Sequence, residues 1–278
     1  DPEHFRMGTC YAIIPGGLDH RGTELTPLNL EEARSKILEF KQRGVRIFSV
    51  IGKFSPRNPR HERQLASLLE GECDFLTLGH AISGQLNFPR RVATSYYNSA
   101  IWPIFSDFAN SVADSLHDFG LSPPHVNILK ADGGTMTFRQ ARRTPVESIF
   151  SGPSASVMGI MALCPIESDA VLLDLGGTTT DVAVFANGDP LIEAESVELA
   201  HRPTLVRAMK TKSIPLGGDS AVTVDQGSVY VGPRRMGPCM AQGGTVPTLV
   251  DALNCAKQYS YGHTQASEEG MQSLGQKL

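Results

Sequence analysis

The stretch that decides the fold is Asp174-Leu-Gly-Gly-Thr-Thr-Thr-Asp181, between the apolar runs Ala170-Val-Leu-Leu173 and Val182-Ala-Val-Phe185. Two short apolar runs around a Gly/Thr-rich turn are the pattern of two paired strands. Gly176 and Gly177 let the backbone come close to a ligand at little steric cost. The stretch therefore predicts a β-hairpin whose turn is built to bind phosphate.

The polar residues of this turn indicate the ligand. Bare N–H groups and the hydroxyls of Thr178, Thr179 and Thr180 are donors for phosphate oxygens. Asp174 and Asp181 would repel a bare anion, so they make sense only if a divalent cation or a transferable proton lies between. The pairing therefore implies Mg²⁺–nucleotide chemistry at this turn, with Mg²⁺ held through Asp174. The alternative is an ordinary tight hairpin with surface threonines.

The turn matches neither G-x-x-x-x-G-K-[ST] nor G-x-G-x-x-G, the two phosphate-binding loops that precede a helix. No Lys follows the glycines, and the apolar alternation after them is that of a strand. At this point the residues resemble the ATPase superfamily of actin, sugar kinases and heat-shock chaperones. In that superfamily each of two lobes offers a D-x-G-G-T type hairpin to the nucleotide phosphates.

Within that superfamily the chain is similar to the hydantoinase/oxoprolinase family. The similarity is carried by Asp132-Gly-Gly-Thr-Met136, Ala141-Arg-Arg-Thr-Pro-Val-Glu147 and Phe150-Ser-Gly-Pro-Ser-Ala155. Further similar segments are Phe54–Glu62, Arg91–Ala100, Gly217–Ser220, Val231–Pro233, Gly237–Cys239 and Gly243–Asp251. The resemblance spans about Leu18 to Ala256 in one collinear order.

The resemblance implies a fold and a domain division. The fold class is α/β, an actin-like ATPase (ribonuclease H-like) lobe with an adjoining α/β segment. Residues 1–97 would be the later part of the family's N-terminal region, and residues 98–278 its hydantoinase A lobe. Family members begin with a separate lobe that carries another such hairpin. We find none before Leu18, so we expect the first lobe to be absent and to be supplied by a longer polypeptide or a partner subunit.

The resemblance also implies an activity. Members of the family are ATP-dependent enzymes that open cyclic amides such as hydantoin, 5-oxoproline or a related lactam by phosphorylating the carbonyl oxygen. A small-molecule cyclic amide would be the substrate, and this chain alone would be inactive. Two alternatives stay open: a metabolite kinase of the same superfamily, and a noncatalytic nucleotide-binding assembly module.

A second glycine-rich segment, Lys212-Ser-Ile-Pro-Leu-Gly-Gly-Asp-Ser220, corresponds in the superfamily to the loop that passes the adenosine. We therefore expect Gly217, Gly218, Asp219 and Ser220 to bind the nucleotide. Family members have a longer glycine run here, and an acid at Asp219 is unfavourable beside a triphosphate unless it bonds ribose hydroxyls or a metal. The alternative is a turn with no ligand.

Other residues are candidates for catalytic or metal-binding groups. Asp132, at a strand end followed by two glycines, is a candidate catalytic carboxylate or the start of an Asx-turn. His61 and Glu62 are adjacent on a predicted helix and do not face one another, which disfavours zinc. Cys239 has no His nearby in sequence to activate it, so we expect a buried structural thiol.

Composition excludes several classes of partner. The 25 basic and 29 acidic residues give a formal net charge of −4, too mild to indicate nucleic acid or a membrane surface. The longest apolar stretch falls far short of the roughly 18 residues that a membrane span needs. Five cysteines without a C-x-x-C pair indicate reduced thiols in the cytoplasm. Homo- or hetero-oligomers stay possible.

The periodicity predicts alternating helices and strands, typical of a sheet with crossover helices. The predicted helices cover Leu30–Phe40 with Asn29 as cap, Glu62–Leu69, and Tyr96–Leu116 entered near Pro103, and another begins after the cap Ser151. The predicted strands are Val45–Ile51, Phe75–Leu78, a buried Val126–Leu129 and Pro190–Glu198. A hairpin with the two-residue turn Gln226-Gly227 joins Val222–Asp225 to Ser228–Val231.

Overall fold

A computed structural model describes residues 6–8, 10–121, 126–193, 196–258 and 260–276. These residues form two compact units, one from Asp1–Ser151 with Ile192–Ala208 and the other from Gly152–Leu191 with Met209–Leu278. Within the described ranges, no helix is long and apolar enough to cross a membrane.

The elements are short strands and mostly short helices. The strands are β1 (Gly17–Leu18), β2 (Glu24–Thr26), β3 (Ile47–Val50), β4 (Phe75–Leu78), β5 (Asn127–Leu129), β6 (Thr135–Thr137), β7 (Ala170–Leu175), β8 (Thr180–Ala186), β9 (Asp189–Pro190), β10 (Glu198–Leu199), β11 (Arg202–Pro203), β12 (Thr211–Ile214), β13 (Ser220–Asp225) and β14 (Ser228–Arg235). The α-helices are α1 (Leu30–Gln42), α2 (Arg60–Leu69), α3 (Gly79–Ile82), α4 (Phe88–Asp118), α5 (Phe138–Ala141), α6 (Ser151–Leu163), α7 (Leu249–Cys255) and α8 (Thr264–Gly275).

In the first unit, β3 and β4 are parallel and are joined through α2, which confirms the predicted crossover pattern. Helix α1 begins where predicted, because the Asn29 side chain accepts a hydrogen bond from the Glu32 N–H. A core of Ala131, Val146 and Val206, with other small apolar residues, fills the space beside α4. This unit therefore has its own hydrophobic core.

Helix α4 is longer than predicted. It begins at Phe88 rather than Tyr96, because the Asn87 side chain caps it by accepting a hydrogen bond from the Arg90 N–H. Pro103 lies inside this helix and not at its entry. The boundary predicted between residues 97 and 98 falls inside α4, and as a division between family regions it stays a prediction.

The second unit is organised around an antiparallel sheet in the order β12-β8-β7, with β9 also paired to β8. Helix α6 covers one face of this sheet, where Val157 packs with Ala183 and Phe185. The opposite face of β7 carries the exposed side chains of Val171 and Leu173. Because successive strand residues alternate between faces, the register decides which side chains meet α6.

The hairpin of β13 and β14 has the predicted two-residue turn. Asp225 pairs with Ser228, and both turn residues have positive φ, 48° at Gln226 and 75° at Gly227. Positive φ at both central positions is the type I′ geometry that fits the strand twist. The strand end at Arg235 brings this hairpin back to the glycine-rich segment, since Ser220 is paired with Arg235.

Three local predictions were wrong in detail. Ser151 is the first residue of α6 and not its cap. Strand β5 is exposed at Asn127 and only half-buried beyond it, because it pairs with β6 alone. The predicted strand Pro190–Glu198 is replaced by the ends of β9 and β10, and residues 194–195 lie outside the described residues.

Candidate functional site

The predicted hairpin is present as β7 and β8, which pair in continuous antiparallel register from Ala170 opposite Phe185 to Leu175 opposite Thr180. Asp174 lies directly opposite Asp181 in this register. Directly opposed residues of an antiparallel pair project to the same face, and here it is the face that α6 covers. The two carboxylates therefore stand side by side where the apolar packing ends.

The hydrogen bonds of the two carboxylates differ. Ser156 of α6 donates its hydroxyl to Asp174 Oδ2. The Asp181 carboxylate has no hydrogen-bond or ion-pair partner among the described residues. Like charges directly opposite each other in a sheet are destabilising, so a counter-charge between them would relieve the repulsion.

This donor set fits Mg²⁺, a hard cation that proteins commonly hold through one or two carboxylates together with substrate phosphates. Over the residues that the structure describes, no group of three or more His, Cys, Asp or Glu forms a complete metal cage. Asp174 and Asp181 would thus hold Mg²⁺ only with oxygens from water or from a phosphate.

The two glycine-rich segments form one site. The N–H of Gly218 donates to Gly176 O at 3.0 Å, and the N–H of Asp219 donates to Gly177 O at 2.7 Å. A Cβ on Gly217 would lie 2.5 Å from Gly177 O, closer than any real contact. Glycine at position 217 therefore allows the two loops to pack this closely.

Gly177 has a similar explanation. A Cβ there would lie 2.8 Å from Asp219 Oδ2, so the Asp219 side chain occupies the space that the missing side chain leaves. Asp219 in turn accepts hydrogen bonds from Arg235, at 3.0 Å from Nε and 2.8 Å from Nη2. The negative charge that is unfavourable beside a triphosphate is thus balanced within the protein.

Arg235 was not among the predicted site residues. It lies 16 residues beyond Asp219 in the chain, and it belongs to no motif with a fixed spacing. The signal that could have revealed it is the predicted hairpin after Asp219, because the second strand of a hairpin returns to the level at which the first begins.

The donors of the turn are only partly available to a ligand. The N–H of Gly176 closes the turn by donating to Thr179 O at 2.9 Å, so it is not bare as expected. The hydroxyl of Thr180, 9 % exposed, donates to Leu216 O at 2.7 Å. The proton of the Thr180 hydroxyl, expected to bind phosphate, therefore already has an acceptor, and a contact of Thr180 with nucleotide stays a prediction.

The remaining donors of the turn have no such acceptor. In the described part of the chain, the hydroxyls of Thr178 and Thr179 and the N–H groups of Gly177 and Thr178 form no hydrogen bond to protein. Ser220, in contrast, is buried, and its hydroxyl oxygen accepts the Gly217 N–H at 2.9 Å. Ser220 therefore holds the shape of the second loop, and a direct contact with nucleotide stays a prediction.

Asp132 lies in the first unit. Its Oδ1 accepts the N–H of Gly134 at 3.0 Å, which is an Asx-turn, and its Oδ2 is 3.2 Å from Lys130 Nζ. Lys130 also lies 3.3 Å from Glu147. Burial lowers the pKa of Lys130, but these two carboxylates outweigh it and raise the pKa above its usual value. A catalytic role of Asp132 stays a prediction.

Sequence reasoning missed a buried carboxylate that supports the second loop. Asp251, fully buried, accepts the N–H groups of Met240 and Ala241 at 3.0 Å, the Thr248 N–H at 2.8 Å and the Ser267 hydroxyl at 2.6 Å. Burial opposes ionisation of Asp251, but these hydrogen bonds together leave its pKa below the usual value. Thr248-x-x-Asp251 is a variant of the helix capping box, which is the cue in the sequence.

The helix that Asp251 anchors touches the glycine-rich loop. The N–H of Val250 donates to Gly218 O at 3.0 Å, and a Cβ on Gly218 would lie 2.9 Å from a Val250 methyl group. The second loop is therefore hydrogen-bonded both to the start of α7 and to the hairpin turn.

His61, Glu62 and Cys239 have structural roles. His61 contacts Glu24 at 2.7 Å, whereas Glu62 bonds His80 at 2.5 Å, so the adjacent pair serves two different contacts. Cys239 is buried, and burial raises the pKa of its thiol, which disfavours the thiolate that a nucleophile requires.

Comparison with known proteins identifies the family. The family model "Hydantoinase/oxoprolinase" matches residues 91–265, and the model "Hydantoinase/oxoprolinase N-terminal region" matches residues 7–73. Caprolactamase subunit alpha of Pseudomonas jessenii is 26% identical over 261 residues, covering 90% of this chain and 36% of that protein. 5-Oxoprolinase of Saccharomyces cerevisiae is 25% identical over 221 residues, covering 75% of this chain and 16% of that protein.

The fold has a counterpart among solved structures. Nucleotide-free acetone carboxylase superposes with a TM-score of 0.73 at 17% identity, over 94% of this chain and 40% of that chain. This likeness confirms the predicted α/β fold class. The chain spans well under half the length of these relatives. With a family model matching more than half of its residues, the chain belongs to the hydantoinase/oxoprolinase family.

Proposed function

We propose that this chain is the phosphate-binding part of an ATP-dependent hydrolase that opens a cyclic amide by phosphorylating its carbonyl oxygen. The observation that carries the proposal is the cross-strand pair of Asp174 and Asp181. It lies next to a turn whose backbone bonds the second glycine-rich loop and whose remaining donors have no partner among the described residues. Relatives named caprolactamase and 5-oxoprolinase support the substrate class.

The chemistry explains why ATP is needed. Resonance makes the carbonyl carbon of a lactam a poor electrophile and its nitrogen a poor leaving group. The carbonyl oxygen attacks the γ-phosphorus of ATP, the bond from phosphorus to the bridging oxygen breaks, and ADP leaves. Water then adds to the activated carbon, and the ring C–N bond breaks with the proton passing to nitrogen, which leaves an acyl phosphate. A second water hydrolyses this acyl phosphate to the carboxylate and inorganic phosphate. In total two waters are consumed, and the products are ADP, inorganic phosphate and the open amino acid.

Phosphoryl transfer is mostly positioning and neutralisation of charge, and this chain's residues would contribute both. The hydroxyls of Thr178 and Thr179 and the N–H groups of Gly177 and Thr178 would bind phosphate oxygens. Asp174 and Asp181 would hold Mg²⁺, which supplies charge stabilisation at the phosphates. Asp132 is a second proposed catalytic carboxylate, to be tested by Asp132→Asn.

We further propose that another lobe, in a longer polypeptide or a partner subunit, completes the nucleotide clamp. One hairpin binds the phosphates from one side only, so this chain alone should hydrolyse ATP negligibly while binding it weakly. Robust Mg²⁺-dependent turnover by these residues alone would contradict this. The five cysteines are free thiols in the structure, which suits the reducing cytoplasm that we propose as its location.

The function is tested by incubating the full-length protein with ATP, Mg²⁺ and, separately, hydantoin, 5-oxoproline and caprolactam. We expect one ring to give equal amounts of inorganic phosphate and ring-opened product. A phosphorylated product without phosphate release would indicate a metabolite kinase. Nucleotide binding without turnover on any ring would indicate an assembly module.

Carboxylation is the second candidate, because the solved structure of acetone carboxylase superposes over nearly the whole chain. Both reactions would activate an oxygen of the substrate with ATP and differ in the attacking partner. Adding bicarbonate with a ketone separates them. ATP turnover that requires both would favour a carboxylase, whereas turnover with a lactam alone would favour the hydrolase.

A further inference from the structure

We propose that Arg235 binds a phosphate oxygen of the nucleotide, and that Asp219 is the positioning residue that orients it. This inference rests on the proposed function and adds a residue and its partner to the same site. Arg235 follows the glycine-rich segment by a whole hairpin and lies in no motif of the family resemblance described above.

The geometry leaves one edge of the Arg235 guanidinium free. Nε and Nη2 both donate to the same oxygen, Asp219 Oδ2, at 3.0 and 2.8 Å. A guanidinium carries five N–H donors in a rigid plane. Nη1 has no hydrogen-bond partner in the described ranges, and the Arg235 side chain is 50% exposed. The edge formed by Nη1 and Nη2 is therefore available to a ligand while Asp219 keeps its contact.

The Asp219 carboxylate links the Arg235 guanidinium to the turn. Asp219 Oδ2 lies against the α-carbon of Gly177, at 2.8 Å from where a Cβ would be, and its backbone N–H bonds Gly177 O at 2.7 Å. Arg235 contacts that same carboxylate oxygen. The Asp219 side chain thus lies between the guanidinium and the turn that we propose binds phosphate.

The charge balance of the site requires a cation there. Asp174, Asp181 and Asp219 surround a turn that would receive a polyanion, and Mg²⁺ at the first two would leave the third uncompensated. Among ion pairs between described residues, Asp219 with Arg235 is the one at this turn. Arg suits the task because its planar fork can bind a carboxylate on one edge and a phosphate on the other, which a Lys ammonium does not do.

A purely structural role of Arg235 predicts a different dependence of binding on the ligand. An exposed ion pair between the loop and β14 contributes little to folding and does not distinguish one ligand from another. A phosphate-binding role affects only ligands that carry phosphate. Comparing Mg-ADP with adenosine therefore separates the two roles.

The test is titration of the full-length protein with Mg-ADP and with adenosine, for the wild type, Arg235→Lys, Arg235→Ala and Asp219→Asn. Arg234→Ala is the matched control, because Arg234 is exposed on the same strand and projects to the opposite side. We expect Arg235→Lys to weaken Mg-ADP binding about tenfold and Arg235→Ala further, with adenosine binding unchanged. The affinity of Asp219→Asn for Mg-ADP should lie between those of the wild type and Arg235→Ala. The affinity of Arg234→Ala should equal that of the wild type.

Salt dependence is a second readout that a structural role would not change. Mg-ADP binding to Arg235→Ala should weaken less steeply with added NaCl than binding to wild type, because one cation–phosphate contact is gone. Wild-type affinity of Arg235→Ala for Mg-ADP, or an equal loss for Mg-ADP and adenosine, would overturn the inference. If the wild type binds Mg-ADP and only Asp174→Asn weakens it, the proposed function survives and this inference fails. If the wild type binds no Mg-nucleotide at all, the proposed function fails too.

Discussion

Asp174 and Asp181 are direct cross-strand partners, with side chains on the face of the sheet that α6 covers. Only Asp174 is hydrogen-bonded within the described structure, to Ser156. No cation among the described residues compensates these two like charges, a cost that a nucleotide-bound Mg²⁺ would remove.

Replacing either acid should separate catalysis from folding. In the full-length protein, Asp174→Asn should lower ATP-dependent turnover on the order of a hundredfold, or about 3 kcal/mol, because a charge that positions Mg²⁺ is lost. Asp181→Asn should raise stability in the absence of Mg²⁺ by about 0.5 kcal/mol, because cross-strand repulsion is relieved. Steady-state kinetics and urea unfolding in EDTA measure the two effects. Full turnover by Asp174→Asn would mean that the hairpin is structural.

Gly217→Ala should destabilise the second unit by about 1–3 kcal/mol, because the new Cβ would lie 2.5 Å from a backbone oxygen that cannot move easily. Gly159→Ala is the control. It is a glycine inside α6 whose Cβ would meet nothing within 4 Å, so this change should be neutral or stabilising by up to about 1 kcal/mol. Thermal unfolding of both variants is the measurement. Equal stability of the two would contradict the close approach of the loops.

The threonines of the turn should divide into two kinds. Thr180→Val removes the donor to the Leu216 carbonyl and should destabilise the protein by about 1–3 kcal/mol. Thr178→Val removes a hydroxyl without a protein partner in the described structure, so it should leave stability unchanged and weaken Mg-ATP binding several-fold. Urea unfolding and nucleotide titration of each variant test this. The reverse pattern would show that the phosphate contacts are wrongly assigned.

Asp251 should make stability depend on pH in the acid range. Its folded-state pKa is depressed, so its ionisation stabilises the fold fully above the unfolded pKa of about 3.9, and this contribution is lost as pH falls through the lower folded pKa. Asp251→Asn should cost more than about 2 kcal/mol at pH 7, because an amide nitrogen would face a backbone N–H. Urea unfolding from pH 7 to pH 3 measures the free energy of unfolding of the wild type and of Asp251→Asn. The difference between these two free energies should shrink below about pH 4. A constant difference would indicate that charge is not involved.

Much of the fold followed from local patterns. The alternation in Ala170–Leu175 and Thr180–Ala186 predicted the hairpin, and Gln226-Gly227 predicted the second one, because both signals lie within a few consecutive residues. The cap Asn29 predicts the start of α1 correctly, whereas α4 starts after the cap Asn87, well before the predicted Tyr96. Because a cap is a single residue, a prediction that overlooks it displaces the start of the helix by a full turn or more.

The sequence alone determined which residues carry the chemistry of the turn: two acids, two glycines and three threonines between two strands. Only the tertiary structure decided how they are used. Gly177 accommodates Asp219, Thr180 bonds a carbonyl of another segment, and Arg235 neutralises Asp219 from a strand 16 residues away. Periodicity reports the face on which a side chain lies, whereas its partner across the fold depends on how separate segments pack, which no local spacing encodes.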